Sequence, residues 1–202
     1  VSALAEADGG RLWDGTQAGL DLFDPSTGRF RAVPLNKGGE FVMALYRDRR
    51  DRLWVATLGL GLYRSDDQGR SFQRIPRAGG GVETDDVFTV AEDVDGRIWV
   101  GTREGLMVVS AGGRELNAST LSPGATGDTL TNVTEIEPTP DGGLWVGTFG
   151  VGLYRVDPAR RKIAYTPLGI EGPDGQHVDQ GAMALDAHGG VFVGTFGGGV
   201  LR

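Results

Sequence analysis

Short runs of apolar and β-branched residues alternate with glycine-rich turns along the whole chain. Residues 87–118 show the unit most plainly. Val87 to Glu92 is a β-type run, and Asp95-Gly96 follows it, a pair that tolerates the positive φ of a tight hairpin at low cost. Arg97 to Thr102 is a second strand, rich in β-branched and aromatic residues. Arg103-Glu104-Gly105 closes the next hairpin and Leu106 to Ser110 forms a third strand. Ala111-Gly112-Gly113 then leads to a weaker fourth strand near Arg114 to Ala118. Other copies mark that last turn with Asp24-Pro25-Ser26-Thr27-Gly28 and Asp157-Pro158. No stretch sustains a 3.6-residue period, so almost no helix is expected.

The unit recurs five times. The copies are Gly9-Gly-Arg-Leu-Trp-Asp-Gly-Thr16, Arg50-Asp-Arg-Leu-Trp-Val-Ala-Thr57, Asp95-Gly-Arg-Ile-Trp-Val-Gly-Thr102, Asp141-Gly-Gly-Leu-Trp-Val-Gly-Thr148 and His188-Gly-Gly-Val-Phe-Val-Gly-Thr195. Their aromatic anchors, Trp13, Trp54, Trp99, Trp145 and Phe192, are spaced by 41, 45, 46 and 47 residues. Each is followed three residues later by Thr, and then by a Gly-aliphatic pair from Gly19-Leu20 to Gly199-Val200. A repeated four-stranded antiparallel unit of about 40–50 residues is a β-propeller blade. The fold class expected is therefore all-β, with blades at approximately 1–36, 41–77, 86–120 and 132–168 and a partial fifth at 180–202. The fifth copy stops within its third strand, so the expectation is a piece of a larger ring of about seven blades. An open ring exposes strand edges and blade faces, which predicts self-association at raised concentration. Regular recurrence makes the Trp and Thr positions packing and hydrogen-bonding anchors, not ligand stackers.

Composition narrows the functional classes. Glycine is 35 of 202 residues, against a usual share of about 7%, which suits many turns between short strands. The net charge of −7 leaves no basic surface for nucleic acid, since the densest basic run, Arg160-Arg161-Lys162, sits beside the Asp157-Pro158 turn. The absence of cysteine removes disulfides, thiolate metal sites and a cysteine nucleophile. No apolar run approaches a membrane span, so this segment is expected to make no membrane contact. The start at Val1-Ser2-Ala3-Leu4 shows no signal peptide and suggests a processed chain or an excised fragment.

Motifs for chemistry are sparse. Glycosidases need two carboxylates on one face at about 5–9.5 Å, and Glu83, Asp85, Asp86, Asp128, Asp174 and Asp179 lie in loops without a recognisable catalytic setting. His188 occupies a hairpin position and His177 lies in the polar connector 172–180, so the two histidines make no metal pair. Asp93-Val94-Asp95-Gly96 begins like a calcium loop but lacks the later ligands. Gly79-Gly80-Gly81 and Gly197-Gly198-Gly199 lack the Lys-Ser/Thr of a phosphate loop. No catalytic residue, metal or cofactor is expected.

Ligand binding is expected on one rim. In a four-stranded blade the turn between strands two and three emerges on the same face as the connector between blades. That face collects Arg103, Phe149 and Phe196 from the turns, and Asn36, Lys37, Glu83, Asp85, Asp128, Asn132, Asp174, His177 and Asp179 from the connectors. Connectors of varying length on a rigid scaffold are where binding resides.

The consensus Asp-x-x-Gly-x-Leu-Trp-Val-Gly-Thr-x-x-Gly-x-Gly-Leu-Tyr-Arg resembles the two-component regulator propeller repeat. Asp141 to Pro158 matches it closely, as does Leu130-Thr131-Asn132-Val133. Asp14 departs from it, standing where an aliphatic residue follows Trp, and so does Ala56, which replaces Gly. The resemblance implies the periplasmic sensor ectodomain of a bacterial membrane receptor, with flanking propeller blades and a histidine kinase or diguanylate cyclase output module in the parent chain. It also implies a polar ligand, in many such receptors an oligosaccharide. A local second resemblance, Ser65-Asp66-Asp67-Gln68-Gly69-Arg70-Ser71-Phe72, is similar to the Asp-box, a turn motif of sialidase-like and glycanase propellers, in which Asp67 is expected to bind amides of its own turn. Two rival readings follow, a secreted (extracellular) glycan-active enzyme and a structural protein-interaction scaffold.

Overall fold

A computed structural model of the 202-residue chain describes residues 1–35, 39–78, 86–119, 121, 130–159, 162–169, 177–186, 190–195 and 198–202. Among these, strands dominate and the single helical turn is a 3-10 segment at Asp8–Gly10. Blade I comprises β1 (Ala3–Glu6), β2 (Leu12–Thr16), β3 (Gly19–Asp24) and β4 (Arg29–Val33). Blade II comprises β5 (Phe41–Arg47), β6 (Leu53–Leu58), β7 (Gly61–Ser65) and β8 (Gln73–Ile75). Blade III comprises β9 (Val87–Glu92), β10 (Ile98–Thr102), β11 (Gly105–Val109) and β12 (Leu116–Ala118). Blade IV comprises β13 (Val133–Pro138), β14 (Leu144–Thr148), β15 (Gly152–Val156) and β16 (Ile163–Thr166). Blade V has three strands, β17 (Val178–Leu185), β18 (Val191–Thr195) and β19 (Gly199–Leu201). Within each sheet the strands pair antiparallel in chain order, and the first strands of successive blades contact one another. The architecture is a β-propeller. β17 starts at Val178, two residues before the expected boundary of the fifth copy, which places Asp179 in a strand and not in a connector.

The cores lie between blades. Neighbouring side chains on a strand face opposite ways, so the Trp and Gly of Trp-Val-Gly-Thr face the next blade while the flanking aliphatics face the previous one. Trp54 packs with Val87, Val90, Val100 and Met107 of blade III. Trp99 packs with Val133, Ile136, Val146 and Tyr154 of blade IV, and Trp13 with Val42, Val55 and Tyr63 of blade II. At the last junction Trp145 lies against the cluster of Leu153, Val178, Met183 and Val193. A buried indole removes about 150–250 Å² from water, which makes each Trp a wedge holding two sheets together. The glycine lets the joint close. A Cβ on Gly15 would lie 2.5 Å from Val42 Cγ1, and one on Gly147 would lie 2.5 Å from Val178 Cγ1. In blade II the methyl of Ala56, fully buried, packs in the cluster that contains Val87.

Polar residues of the repeat fix the turns. The Thr hydroxyl donates to the carbonyl of the following turn glycine in all five copies: Thr16 to Gly19, Thr57 to Gly61, Thr102 to Gly105, Thr148 to Gly152 and Thr195 to Gly199, at 2.7–3.1 Å. Six residues before the indole, Asp48 and Asp93 are buried carboxylates. Asp48 accepts from Trp54 Nε1 at 2.7 Å, from the backbone N–H groups of Arg50 and Arg52, and from Arg52 Nε. Asp93 accepts from Trp99 Nε1 at 2.9 Å and from the N–H groups of Asp95 and Arg97. This is a turn anchor, so the start of a calcium loop seen in the sequence has its carboxylate already committed. Blade I has Ala7 at that place and blade IV has Thr139, and Trp145 Nε1 is buried without an acceptor among the described residues. Asp14, opposite Leu4 and Asp21 on the face of blade I turned away from blade II, is buried with Oδ1 unpartnered among the described residues.

Burial works to raise the Asp48 carboxyl, but the hydrogen bonds from Trp54 and Arg52, with the Arg52 charge, outweigh it and hold it below 3.8. A depressed folded-state value means that this stability is present above 3.8 and is lost as pH falls through the folded value. Asp48→Ala is expected to cost about 2 kcal/mol or more, because it strands a buried indole N–H and two turn amides, and to flatten the acid limb of a urea-unfolding series below pH 4. Gly147→Ala is expected to destabilise by about 1–3 kcal/mol through overpacking against Val178, read in the same urea titrations, whereas Gly112→Ala, whose Cβ would meet only Arg114 Cγ at 4.0 Å, is expected to leave the midpoint nearly unchanged.

Candidate functional site: the connector face and the axial cavity

Because every blade is an antiparallel meander, the turn between its second and third strands leaves on the same rim as the connectors. Backbone hydrogen bonds weld these pieces across blades III and IV, and a ring contact adds the residue before blade V. Arg103 N–H donates to Asp86 O, Asn132 N–H to Arg103 O at 2.8 Å, and Phe149 N–H to Asn132 O at 2.9 Å. The Phe149 ring then stacks on His177 with centroids 4.1 Å apart. Arg103 Nε also donates to the Asp86 carboxylate and its guanidinium lies over the Phe88 ring. Asn132 takes a positive φ of 49°, and the connector passes so close to Gly105 that a Cβ there would lie 2.5 Å from Leu130 O. The turn glycine is thus required by the loop crossing it as well as by its own φ of 138°.

Of the residues expected on this rim, Arg103, Asn132, Phe149 and His177 come together. Phe149 is 45% exposed, and His177 Nδ1 is buried without a partner among the described residues. The arrangement offers an aromatic surface backed by an imidazole, while the Arg103 guanidinium is turned to Asp86 and Phe88. Asp86, weighed in the sequence as a loop carboxylate, is engaged by Arg103. Asp179 sits half-buried in β17. Asn36, Lys37, Glu83, Asp85, Asp128, Asp174, His188 and Phe196 lie outside the described residues. The Asp-box turn is local structure: Asp67 accepts from the N–H groups of Arg70 and Ser71 and from the hydroxyls of Ser65 and Ser71, led by the Ser71 hydroxyl in holding its carboxyl down at about 2.

Motif reading placed inner strands such as Val87–Glu92 but not their irregularities. The inner strands of blades II to V are irregular against the second strand, with Met43, Phe88 and Thr134 as the extra residues of β5, β9 and β13 and a wider irregularity between Val178 and Met183 in β17, whereas β1 pairs in even register. A bulge frees backbone groups from the ladder and re-aims side chains. Here Gln180 Nε2 reaches from blade V to Met43 O at 2.9 Å and Phe88 O at 2.6 Å, tying three blades around the axis. Thr134 Oγ1 donates to Val178 O and Ser2 Oγ to Val42 O in the same manner. The inner strands enclose an axial cavity of about 600 Å³ whose lining includes Tyr46, Glu92, Glu135, Glu137 and Gln180. Burial holds the Glu135 carboxyl up at about 7 despite the 2.6 Å bond it accepts from Gly181 N–H, and the Glu137 charge adds to the rise. Burial raises Glu137 as well. The only sequence signal for this pair was the spacing of Glu135 and Glu137 on one face of a strand. A folded-state value above the unfolded 4.5 means that the folded chain holds the extra proton between pH 4.5 and 7, so stability falls as pH rises through that window. Thermal melts from pH 4.5 to 8 are expected to show this decline, and Glu135→Gln, which keeps the neutral shape, is expected to remove most of it.

Comparison with known proteins bears on identity. Residues 36–59 and 81–104 match the sequence profile described as Two component regulator propeller. Each match runs from the connector through the first two strands of a blade. No curated protein sequence matches the chain. Among solved structures, the extracellular domain of the putative hybrid two component system BT4673 from B. thetaiotaomicron superposes with a TM-score of 0.77 at 25% identity, over 100% of this chain and 29% of that one. The corresponding domain of BT3049 from the same organism gives 0.76 at 20% identity, over 96% and 27%. An ancestral GH74 enzyme gives 0.77 at 16% identity, over 96% and 29%, a likeness of fold. The chain therefore spans less than a third of the length of these structures. With its motif copied five times and folded into successive blades, this chain is a β-propeller, two of whose repeats match the two component regulator propeller profile.

Proposed function

We propose that this chain is part of the ligand-sensing ectodomain of a bacterial two-component-type receptor, placed in the periplasm, and that its connector face receives a polar ligand such as an oligosaccharide. The reading rests on the repeat and on the likeness to structures named as extracellular domains of hybrid two component systems. No helix among the described residues is long and apolar enough to cross a membrane. The observation that carries the site is the bonded series from Asp86 through Arg103 and Asn132 to Phe149 and His177, which joins loops of blades III, IV and V into one surface. A ligand seated there touches three sheets at once. It favours one arrangement of those sheets over another by its difference in affinity, which is all that is needed to bias a receptor between two states. Binding, and not turnover, is the role proposed for this surface. Asp86 already pairs with Arg103, so no free carboxylate couple stands beside Phe149 among the described residues.

Calorimetric titration against a panel of neutral oligosaccharides tests this. Phe149→Ala and His177→Ala are each expected to weaken the best ligand about tenfold, or about 1.4 kcal/mol, with melting temperature unchanged and no reducing sugar released. Equal affinity in both variants would remove the connector face as the site, and sustained sugar release would make the chain an enzyme.

A further inference from the structure

The four Trp-centred junctions are not alike, and the odd one has the makings of a second site. At the junction of blades II and III, Trp54 is capped on all sides. Asp48 takes its indole N–H, and the Arg52 and Arg64 guanidiniums lie 5.1 and 5.6 Å from the ring. Arg64 stands directly opposite Trp54 in the sheet, as Arg155 stands opposite Trp145. At the junction of blades I and II both caps are missing. Leu22 stands opposite Trp13, and Ala7 occupies the place of Asp48. Trp13 Nε1 has no acceptor among the described residues. A groove of about 460 Å³ opens there, within the range of small-molecule sites.

Its lining is chemically ordered. Trp13, Leu22, Val33 and Leu53 form an apolar floor, and Arg11, Arg31, Arg47 and Arg70 stand around it with Asp8 and Asp51. Both aspartates are taken by Arg47, at 2.6 and 3.2 Å. Arg11 donates its Nε only to a backbone carbonyl, Asp8 O, and Arg31 and Arg70 have no ion pair among the described residues. In a chain of net charge −7, this groove gathers three guanidiniums that make no salt bridge among the described residues, with Asp24 within electrostatic reach of Arg11 alone. The junction of blades III and IV serves as a control. Val108 faces Trp99 where an Arg stands in blades II and IV, and a groove of about 570 Å³ opens. There Asp93 keeps the indole N–H, Arg52 is paired with Asp48, and Arg97 with Asp95. Arg50 on that groove has no ion pair among the described residues either, but it stands alone, whereas at Trp13 Arg31 and Arg70 stand together beside an indole that no aspartate caps.

We propose that the groove beside Trp13 binds an acidic sugar, its carboxylate held by Arg31, Arg70 and Arg11. A guanidinium fork matches a carboxylate in shape and charge. Asp51 and Gln68 at the rim accept from ring hydroxyls, and the apolar floor takes the C–H face of the ring. The groove is lined by the first turn of blade I and the third turn of blade II, so it lies on the rim opposite the connector face, and it does not rest on the reading of that face.

The test is tryptophan fluorescence titration of the whole chain with trigalacturonate, with galactotriose as the neutral counterpart and sodium sulfate as the bare oxyanion. Trigalacturonate is expected to bind saturably, at least tenfold more tightly than either control. Arg31→Gln with Arg70→Gln, both exposed positions, is expected to weaken it tenfold or more. Ala7→Asp with Leu22→Arg rebuilds the cap seen at Trp54, and is expected to abolish binding without lowering the melting temperature. No saturable binding of trigalacturonate, equal binding of galactotriose or sulfate, or binding that survives both double substitutions would overturn the proposal. Phe149→Ala is expected to leave this affinity untouched, which keeps a failure here separate from a failure at the connector face.

Discussion

Close approach between sheets is the constraint on which this molecule depends. A four-stranded blade is apolar on both faces and cannot bury either by itself. The chain meets that demand with a two-part joint. A glycine on the second strand leaves room for the first valine of the next blade, and the tryptophan beside it fills the wider gap further out. Neither part works alone. Without glycine the inner strands stand off by the width of a methyl group, and without the indole the outer strands have nothing to close upon. That Ala56 is tolerated once, with its methyl buried at the junction of blades II and III, shows how narrow the tolerance is.

Polar groups then decide how rigid each blade end is. The hydroxyl of the repeated threonine closes one hairpin in every copy, while an aspartate closes the opposite one in blades II, III and V and also takes the indole N–H in blades II and III. A buried carboxylate is tolerable here because donors surround it. Blade V keeps the aspartate as Asp186, which accepts from Gly190 N–H and pairs with Arg202, but has Phe192 in place of the indole that would use it. Grooves open beside Trp13 and Trp99, the two indoles that face an aliphatic residue where an arginine stands opposite Trp54 and Trp145.

Two distinct surfaces follow from the same topology. The connector rim is joined by backbone hydrogen bonds, so its shape is set by the blades beneath it. The opposite rim is set by side chains that cap or fail to cap each indole. The axial cavity lies between them, with Glu135 and Glu137 held toward their protonated forms and Gln180 spanning to blades II and III. A change in how the inner strands sit is felt on both rims, since Val133, Thr134 and Glu135 belong to the same strand that follows Asn132.

The sequence by itself determined the blades. Hairpins, the Thr-to-turn bond and the Asp-to-Trp bond all join residues within six positions of one another. Local spacing therefore encodes them, and the strands of the third copy fall within a residue or two of where the pattern put them. The sequence also grouped Arg103, Asn132, Phe149 and His177 on one rim, because an antiparallel meander allows no other placement. It misplaced Asp179, since no local signal announced that β17 would start early and carry an irregularity. Tertiary structure alone decided that Gln180 crosses to two other blades and that Glu135 is buried enough for its carboxyl to be raised. Each of these depends on contacts more than forty residues apart, set by how one sheet curves against the next, and a side chain's fate there is fixed by what the neighbouring blade brings to meet it.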